Sequence, residues 1–339
     1  MVDMVVCDDI DGAFKNSGEL ARLGAVGRIT VYDRVAETPE ELLRRLRGAE
    51  IAVAIRDRTL IDRETLSALP ELRFIASTGP HRIDLQAATG LGIAVATTSG
   101  LSSASMGEHV FGLILALARR IIPADHALRQ RRWDAVAGTE LEGKTLGILG
   151  LGKTGEAVAK RAPAFGLEAI AWGPTLTPER AAASGAKMVD EEELFRSADI
   201  LSVHLRRSDL SRNFVNVSRL ALMKRSALLI DISWAGIVNR QALAEALRNG
   251  RLGGAALDLC DTHPVDGNDP ILDAPNTVLT PHVAWKTRES YQRSARMTVD
   301  NILAYLNGSP SNLLNPVLVQ ELEGSAGAWT DRAHPRSRS

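Results

Sequence analysis

The sequence predicts an α/β protein built on mostly parallel sheets, and three observations carry that expectation. Short β-branched runs alternate with longer helical stretches along nearly the whole chain, the pattern of strand–crossover–strand units. The run Gly150-Leu-Gly152-Lys-Thr-Gly155 stands between an apolar segment and a helical one, the context a doubly wound fold requires. At 339 residues the chain is long enough for two domains of about 150 residues each.

The early strands read as Ile29–Tyr32, Ile51–Ile55, Leu72–Ser77 and Ile93–Ala96, with helical stretches at Pro39–Arg47 and Arg63–Ala68 between them. Thr38 followed by Pro39 is a helix start, a hydroxyl cap with proline at the first helical position. The small polar stretch Thr97–Ser103 reads as a loop or hinge between domains. A long helical run follows, Ala104 to about Arg131. Its middle, Val110–Ala118, is apolar nearly all round and is therefore a packed core helix or a subunit interface. The cluster Arg129-Gln-Arg-Arg132 marks a solvated helix end. A second series of six strands follows at Thr145–Leu149, Ala169–Trp172, Ile200–Val203, Ala227–Ile232, Gly254–Leu259 and Thr277–Leu279, one doubly wound unit. The last helix, about Glu289–Asn307, stops at Asn307-Gly308. The tail from about Glu321 reads as disordered, and no internal repeat is visible.

Composition narrows the function classes. Apolar residues make up 45% and charged residues 24%, which excludes a disordered chain, a collagen-like chain and a small disulfide scaffold. Lys and Arg total 40 against 41 Asp and Glu, and the resulting net charge of −1 leaves no footprint for nucleic acid or an anionic membrane. The N-terminus, Met1 to Asp9, has no basic region leading into a long apolar stretch, and the most apolar segment, Val110–Ile122, is too short to span a bilayer. A cytoplasmic protein with a small-molecule partner is expected. Cys7 and Cys260 match no metal-ligand spacing and read as idle thiols, and the seven histidines are scattered, so no metal is expected.

The glycine motif carries the chemistry. It follows the apolar run Thr145–Leu149 and opens the helical segment Glu156–Ala164. Gly150 allows a tight turn, Gly152 lets the backbone approach a pyrophosphate, and Gly155 lets helix and strand pack closely, with N–H groups and the helix dipole facing the phosphates. An NAD enzyme places an acid about 20 residues on, against the adenosine ribose. Here that position is Gly173, no Asp or Glu occurs between Glu168 and Glu179, and the nearest downstream arginine is Arg180. Dinucleotide binding is expected; NAD or NADP stays open.

Several separated motifs accompany the glycine loop in one order: Ser77-Thr-Gly-Pro-His-Arg-Ile-Asp84, Met106-Gly-Glu-His109, Asp199-Ile-Leu-Ser-Val-His-Leu205, Leu220-Ala-Leu-Met-Lys224, Ala255-Ala-Leu-Asp258 and Thr280-Pro-His282. Together, over about Ile51 to Pro310, they resemble the D-isomer-specific 2-hydroxyacid dehydrogenase family. The resemblance implies two Rossmann-like domains with parallel sheets, the cofactor domain inserted into a discontinuous substrate domain, with the active site in the cleft. The expected boundaries are 1–98 with 287–318 for the substrate-binding part, 99–286 for the NAD(P)-binding part and 319–339 for a disordered tail. It also implies a homodimer formed through the long helix 104–131. The implied cofactor residues are Thr78, Gly150, Gly152, Lys153, Thr154, Gly155, Gly173, Leu205, Ile232, Ser233, Asp258 and His282. Thr78 and Gly79 match the loop whose backbone N–H groups hold a substrate carboxylate. His109 and His204 fall at positions that serve the fold, and Trp285 packs or lines the cleft.

Members of the family use an arginine to clamp the substrate carboxylate, a histidine to move the proton, and a glutamate to orient that histidine. The histidine matches His282, but the arginine position is Trp234 and the glutamate position is His263. An indole offers one N–H and no charge, so it cannot make the two parallel bonds that hold a 2-keto acid. A flat apolar surface beside the nicotinamide suits a larger or uncharged carbonyl compound, or fills the pocket and ends turnover. Without a carboxylate beside it, His282 is expected to transfer protons in a weaker or more acid-shifted way. Asp261, if its loop is re-registered, and Arg82, in the same segment as His81, are alternative sources of the missing charges. Three readings result: an NAD(P)-dependent oxidoreductase with an atypical substrate and His282 as general acid/base, a catalytically silent NAD(P)-binding sensor or scaffold, or a non-redox or internal-redox reaction using bound NAD.

Overall fold

A computed structural model describes residues 1–56, 58–79, 82–98, 100–259 and 265–315. The chain divides into two compact units, one formed by Met1–Leu101 with the chain from Thr287 onward, the other by Ser102–Lys286.

The first unit is an all-parallel five-stranded sheet. Its strands are β1 (Val2–Cys7), β2 (Gly27–Val31), β3 (Ile51–Ala54), β4 (Phe74–Ser77) and β5 (Ala94–Thr97), in the order β2-β1-β3-β4-β5. Alternation along β1 sends Val5 and Cys7 to one face and Met4 and Val6 to the other. The first face packs the helices Pro39–Leu46, Arg63–Ser67 and Leu85–Gly90; the second packs Phe14, Leu23 and the helix Arg288–Leu306. Thr38 caps the helix it precedes, its side chain accepting from the Glu41 N–H. The sequence reading had no strand at Val2–Cys7, yet β1 is central, paired with both β2 and β3. The signal was present in its valines, ended by Asp8-Asp9.

The second unit holds β6 (Thr145–Leu149), β7 (Glu168–Trp172), β8 (Lys187–Met188), β9 (Ile200–Val203), β10 (Leu228–Asp231), β11 (Gly254–Asp258) and β12 (Thr277–Thr280). They form one parallel sheet in the order β12-β11-β10-β9-β6-β7-β8. The reversal of strand order at β6/β9 is the topological switch point where α/β sheets bind ligands. The two-residue edge strand β8 was not anticipated, being too short to show a period.

The long helix expected over 104–131 is two helices, Ser103–Ala118 and Ile121–Arg129. Arg120 adopts a left-handed backbone, φ 53°, between them. Pro123 supplies the reason: in a continuous helix its ring would meet the carbonyl of Arg119, whereas in the first turn of a new helix its missing N–H costs nothing. Val110, Phe111, Leu113, Ile114 and Ala118 of the first helix are buried in their own unit's core, and Phe111 stacks on Phe165 at 4.6 Å. The helical stretch expected over 156–164 starts earlier, Lys153–Ala159, and gives way to a 3-10 turn at Ala162–Phe165 that contains Pro163. Among the described residues no helix is long and apolar enough to cross a membrane, and no group of His, Cys, Asp and Glu could hold a metal ion.

Candidate active site

The glycine turn is built by sterics. Gly150 has φ +99°, and a Cβ there would lie 2.9 Å from the His204 carbonyl carbon and the Leu205 nitrogen. Its N–H donates to the Trp172 carbonyl at 2.8 Å, tying the turn to the end of β7. A Cβ on Gly155 would lie 2.4 Å from the Gly150 oxygen, so only glycine lets the helix Lys153–Ala159 sit against the turn. Around Gly152, by contrast, a Cβ would meet nothing within 4 Å, and no side chain caps the helix. Backbone amides therefore face an open cradle at a helix N-terminus, which fits a pyrophosphate.

Other expected cofactor residues divide. Leu205 and Ile232 are buried, and Gly173 lies beside the turn, where a Cβ would be 3.7 Å from the Gly150 Cα. Ser233 donates its hydroxyl to Asp231 Oδ1 at 2.5 Å and its N–H to the same oxygen at 2.9 Å. The Thr154 hydroxyl donates to Met106 Sδ at 3.8 Å, on the helix Ser103–Ala118. Lys153 opens the helix, three residues before the expected start.

Asp258, at the end of β11, has a job the sequence did not show. Its Oδ1 accepts from Thr280 Oγ1 at 2.6 Å and from the Val283 N–H at 2.8 Å, and its Oδ2 accepts from the Ala284 N–H at 2.9 Å. The carboxylate thus ties down the turn that carries His282. His109 Nε2 lies 3.1 Å from Thr280 Oγ1, whose own proton goes to Asp258, so the His109 nitrogen is the donor. Burial holds His109 below the ordinary histidine value, against the upward pull of Asp258. Asp258, Thr280 and His109 together fix the start of the turn.

His282 itself takes φ +54°, a left-handed conformation, and its N–H donates to the Thr280 carbonyl at 3.2 Å. Two indoles stand edge-on to its ring: Trp234 with centroids 6.5 Å apart and planes at 68°, and Trp285 at 6.3 Å and 71°. Trp234 also packs on the core of its unit, and Trp285 is buried with Lys286 Nζ 5.5 Å from its ring centre. His263, Asp261 and His81 lie outside the described residues, as does Cys260. His204 is held by a 2.8 Å bond between Nε2 and Ser202 Oγ, and burial pushes its pKa down to about 3, which makes it a neutral structural group.

In the other unit, Thr78 and Gly79 follow β4. The amides expected to hold a substrate carboxylate are already bonded: Thr78 N–H to the Ala54 carbonyl at 3.0 Å, and Gly79 N–H to Ser77 Oγ at 3.1 Å. The ladder between β3 and β4 runs one residue past the strand and takes the first; a local serine takes the second. Thr78 Oγ1 in turn accepts from the Arg56 N–H at 2.9 Å. The Arg82 side chain is exposed, and its carbonyl accepts from the Ile61 N–H at 2.8 Å.

A doubly wound parallel sheet whose first crossover opens on an uncapped glycine turn defines a dinucleotide-binding protein. The model of the D-isomer specific 2-hydroxyacid dehydrogenase NAD binding domain matches residues 111–284. Relatives include the glyoxylate reductase of Aeropyrum pernix, 38% identical over 306 residues that cover 86% of this chain and 91% of that one. The glycerate dehydrogenase of Methylorubrum extorquens is 35% identical over 289 residues, 82% and 89% of the two chains. Among solved structures, an acyclic imino acid reductase in complex with NADPH and D-Arg superposes with a TM-score of 0.80 at 27% identity, covering 92% of this chain and 100% of that one. The chain belongs to the D-isomer-specific 2-hydroxyacid dehydrogenase family, a family of oxidoreductases, and its cofactor is a nicotinamide dinucleotide of the NAD(P) type.

Proposed function

We propose that this chain is an NAD(P)-dependent oxidoreductase that interconverts a carbonyl and a hydroxyl on a substrate other than the small 2-hydroxy acids. The observation that carries the reading is the pair of indoles, Trp234 and Trp285, set edge-on to the His282 ring. Trp234 stands at the position where the family resemblance places a guanidinium, so a small carboxylate loses its two-pronged anchor there and an apolar group gains a surface.

The dinucleotide, when bound, gives a hydride to the carbonyl carbon or takes one from the alcohol. In the reducing direction the substrate oxygen keeps the electron pair of the broken C=O π bond and takes a proton from the His282 imidazolium, leaving neutral imidazole; in oxidation the neutral imidazole takes the proton back. The Asp258 carboxylate and Thr280 hold the backbone that aims His282.

The test is a screen of carbonyl compounds with and without an α-carboxylate. The reading expects higher kcat/KM for larger or uncharged carbonyls, and a loss of about 10²–10⁴-fold in His282→Ala. Higher kcat/KM on simple 2-keto acids refutes the altered-substrate reading. Tight dinucleotide binding with no turnover, unchanged in His282→Ala, refutes the enzymatic reading and supports a silent sensor.

A homodimer belongs to the same proposal. The second half of the expected helix, with the segment after it, exposes Ile121 at 50%, Ile122 at 53%, Leu128 at 57%, Trp133 at 86% and Val136 at 62%. That is more apolar surface than a monomer exposes without a use for it. Sedimentation should give a dimer that Ile122→Glu with Leu128→Glu converts to a monomer; a wild-type monomer refutes it.

A further inference from the structure

We propose that Arg180 selects the 2′-phosphorylated dinucleotide, NADP(H), over NAD(H). The inference rests on the dinucleotide reading of the glycine turn and concerns the corner where the adenosine ribose is read.

In a doubly wound fold that corner lies between the glycine turn and the end of the second strand, here β7. An acid there binds the ribose hydroxyls of NAD and repels a 2′-phosphate. In this chain the position is Gly173, and no Asp or Glu occurs between Glu168 and Glu179. Space is not the reason. A Cβ on Gly173 would sit 3.7 Å from the Gly150 Cα and 3.8 Å from the Leu151 nitrogen, ordinary contact distances. The chemistry at this place is therefore missing its negative charge, not its room.

A positive charge has come in instead. Arg180 is seven positions on from Gly173 in sequence, but the side chain folds back over the intervening loop. Its Nη2 donates to the carbonyl of Leu151 at 3.1 Å, and its Nη1 to the carbonyl of Thr175 at 2.9 Å. Leu151 is the residue between Gly150, which makes the turn, and Gly152, around which the cradle is open. The guanidinium is thereby fixed at the lip of the cradle by two backbone carbonyls, both neutral, so its charge is not consumed. Among the described residues no carboxylate pairs with it. The residue remains exposed, with neither carbonyl neutralising it. A planar fork with fixed orientation is the side chain best matched to a phosphate.

The experiment measures dissociation constants of the purified full chain for NADPH and NADH by tryptophan quenching, and for 2′,5′-ADP and 5′-AMP by calorimetry. NADPH should bind at least about tenfold tighter than NADH, and 2′,5′-ADP tighter than 5′-AMP, the worth of a charge-assisted contact. Arg180→Ala should cut the NADPH-to-NADH affinity ratio about tenfold or more, Arg180→Lys should keep part of it, and Gly173→Asp should move it toward NADH. NADH binding as tightly as NADPH, or a ratio unmoved in Arg180→Ala, overturns the inference while leaving the dinucleotide reading intact. Binding of neither dinucleotide overturns both.

Discussion

Replacing Asp258 by Asn tests the idea that one carboxylate holds the turn carrying His282. The wild-type group accepts three hydrogen bonds, from Thr280 Oγ1, the Val283 N–H and the Ala284 N–H, at 2.6, 2.8 and 2.9 Å. An amide has one oxygen. Whichever way it lies, its NH2 faces a backbone N–H, from Val283 or from Ala284. That leaves a buried donor unsatisfied, at a cost of about 1–3 kcal/mol. The remaining bonds lose their charge assistance, about another 1 kcal/mol. The sum is roughly 2–4 kcal/mol, with Thr280→Val as a smaller companion at about 1–2 kcal/mol because it removes two hydrogen bonds, one to Asp258 and one from His109, and no charge. Urea unfolding followed by tryptophan fluorescence reads the stability, and kcat reads the position of His282. If Asp258→Asn stays within about 0.5 kcal/mol of wild type, the size of an ordinary surface change, and keeps its kcat, the carboxylate is not what holds the turn.

Further outcomes follow from the same geometry. At φ +54° a side chain is strained, so His282→Gly should be more stable than His282→Ala by about 1 kcal/mol although both lack the imidazole; equal unfolding free energies would contradict the left-handed backbone. His204, with its pKa near 3, binds no proton when folded but binds one below about pH 6.5 when unfolded. Its contribution is therefore intact above that pH and lost progressively toward pH 3. Between pH 7 and pH 5 the wild type should lose about 2 kcal/mol more stability than His204→Gln, and equal losses would refute the assignment. Gly155→Ala puts a methyl 2.4 Å from the Gly150 oxygen. It should cost about 1–3 kcal/mol and weaken dinucleotide binding, and an unchanged dissociation constant would show that the turn tolerates being opened.

Most of the framework was legible because a parallel strand buried on both faces is a short apolar run, and ten of the twelve strands announced themselves so. Val2–Cys7 has the same composition as the others, but its place at the chain start drew attention to targeting rather than pairing. Lys187–Met188 is too short to carry any pattern. The break at Arg120 could have been read from Pro123. At the site, the glycine roles were legible because they follow from sterics that each glycine carries with it. The Asp258 clamp was not, since it depends on β11 and β12 lying side by side in register, Asp258 opposite Thr280. The bonds made by the Thr78 and Gly79 amides were not legible for a related reason: which partner an N–H finds depends on how far a ladder runs, which no local pattern encodes. The contact of Arg180 with the Leu151 carbonyl was not legible, because it joins residues 29 apart in sequence.

The placing of the helix Arg288–Leu306 sets an order of assembly. Its Ala295, Val299, Ile302 and Tyr305 fill one face of the sheet that β1 begins, with Tyr305 stacked on Phe74 at 4.3 Å. On a ribosome, the sheet from β6 to β12 has all of its strands once Thr280 has emerged, whereas the earlier sheet waits with one apolar face covered only in part, by Phe14 and Leu23, until the last helix is made. The part synthesised second can therefore close its core first.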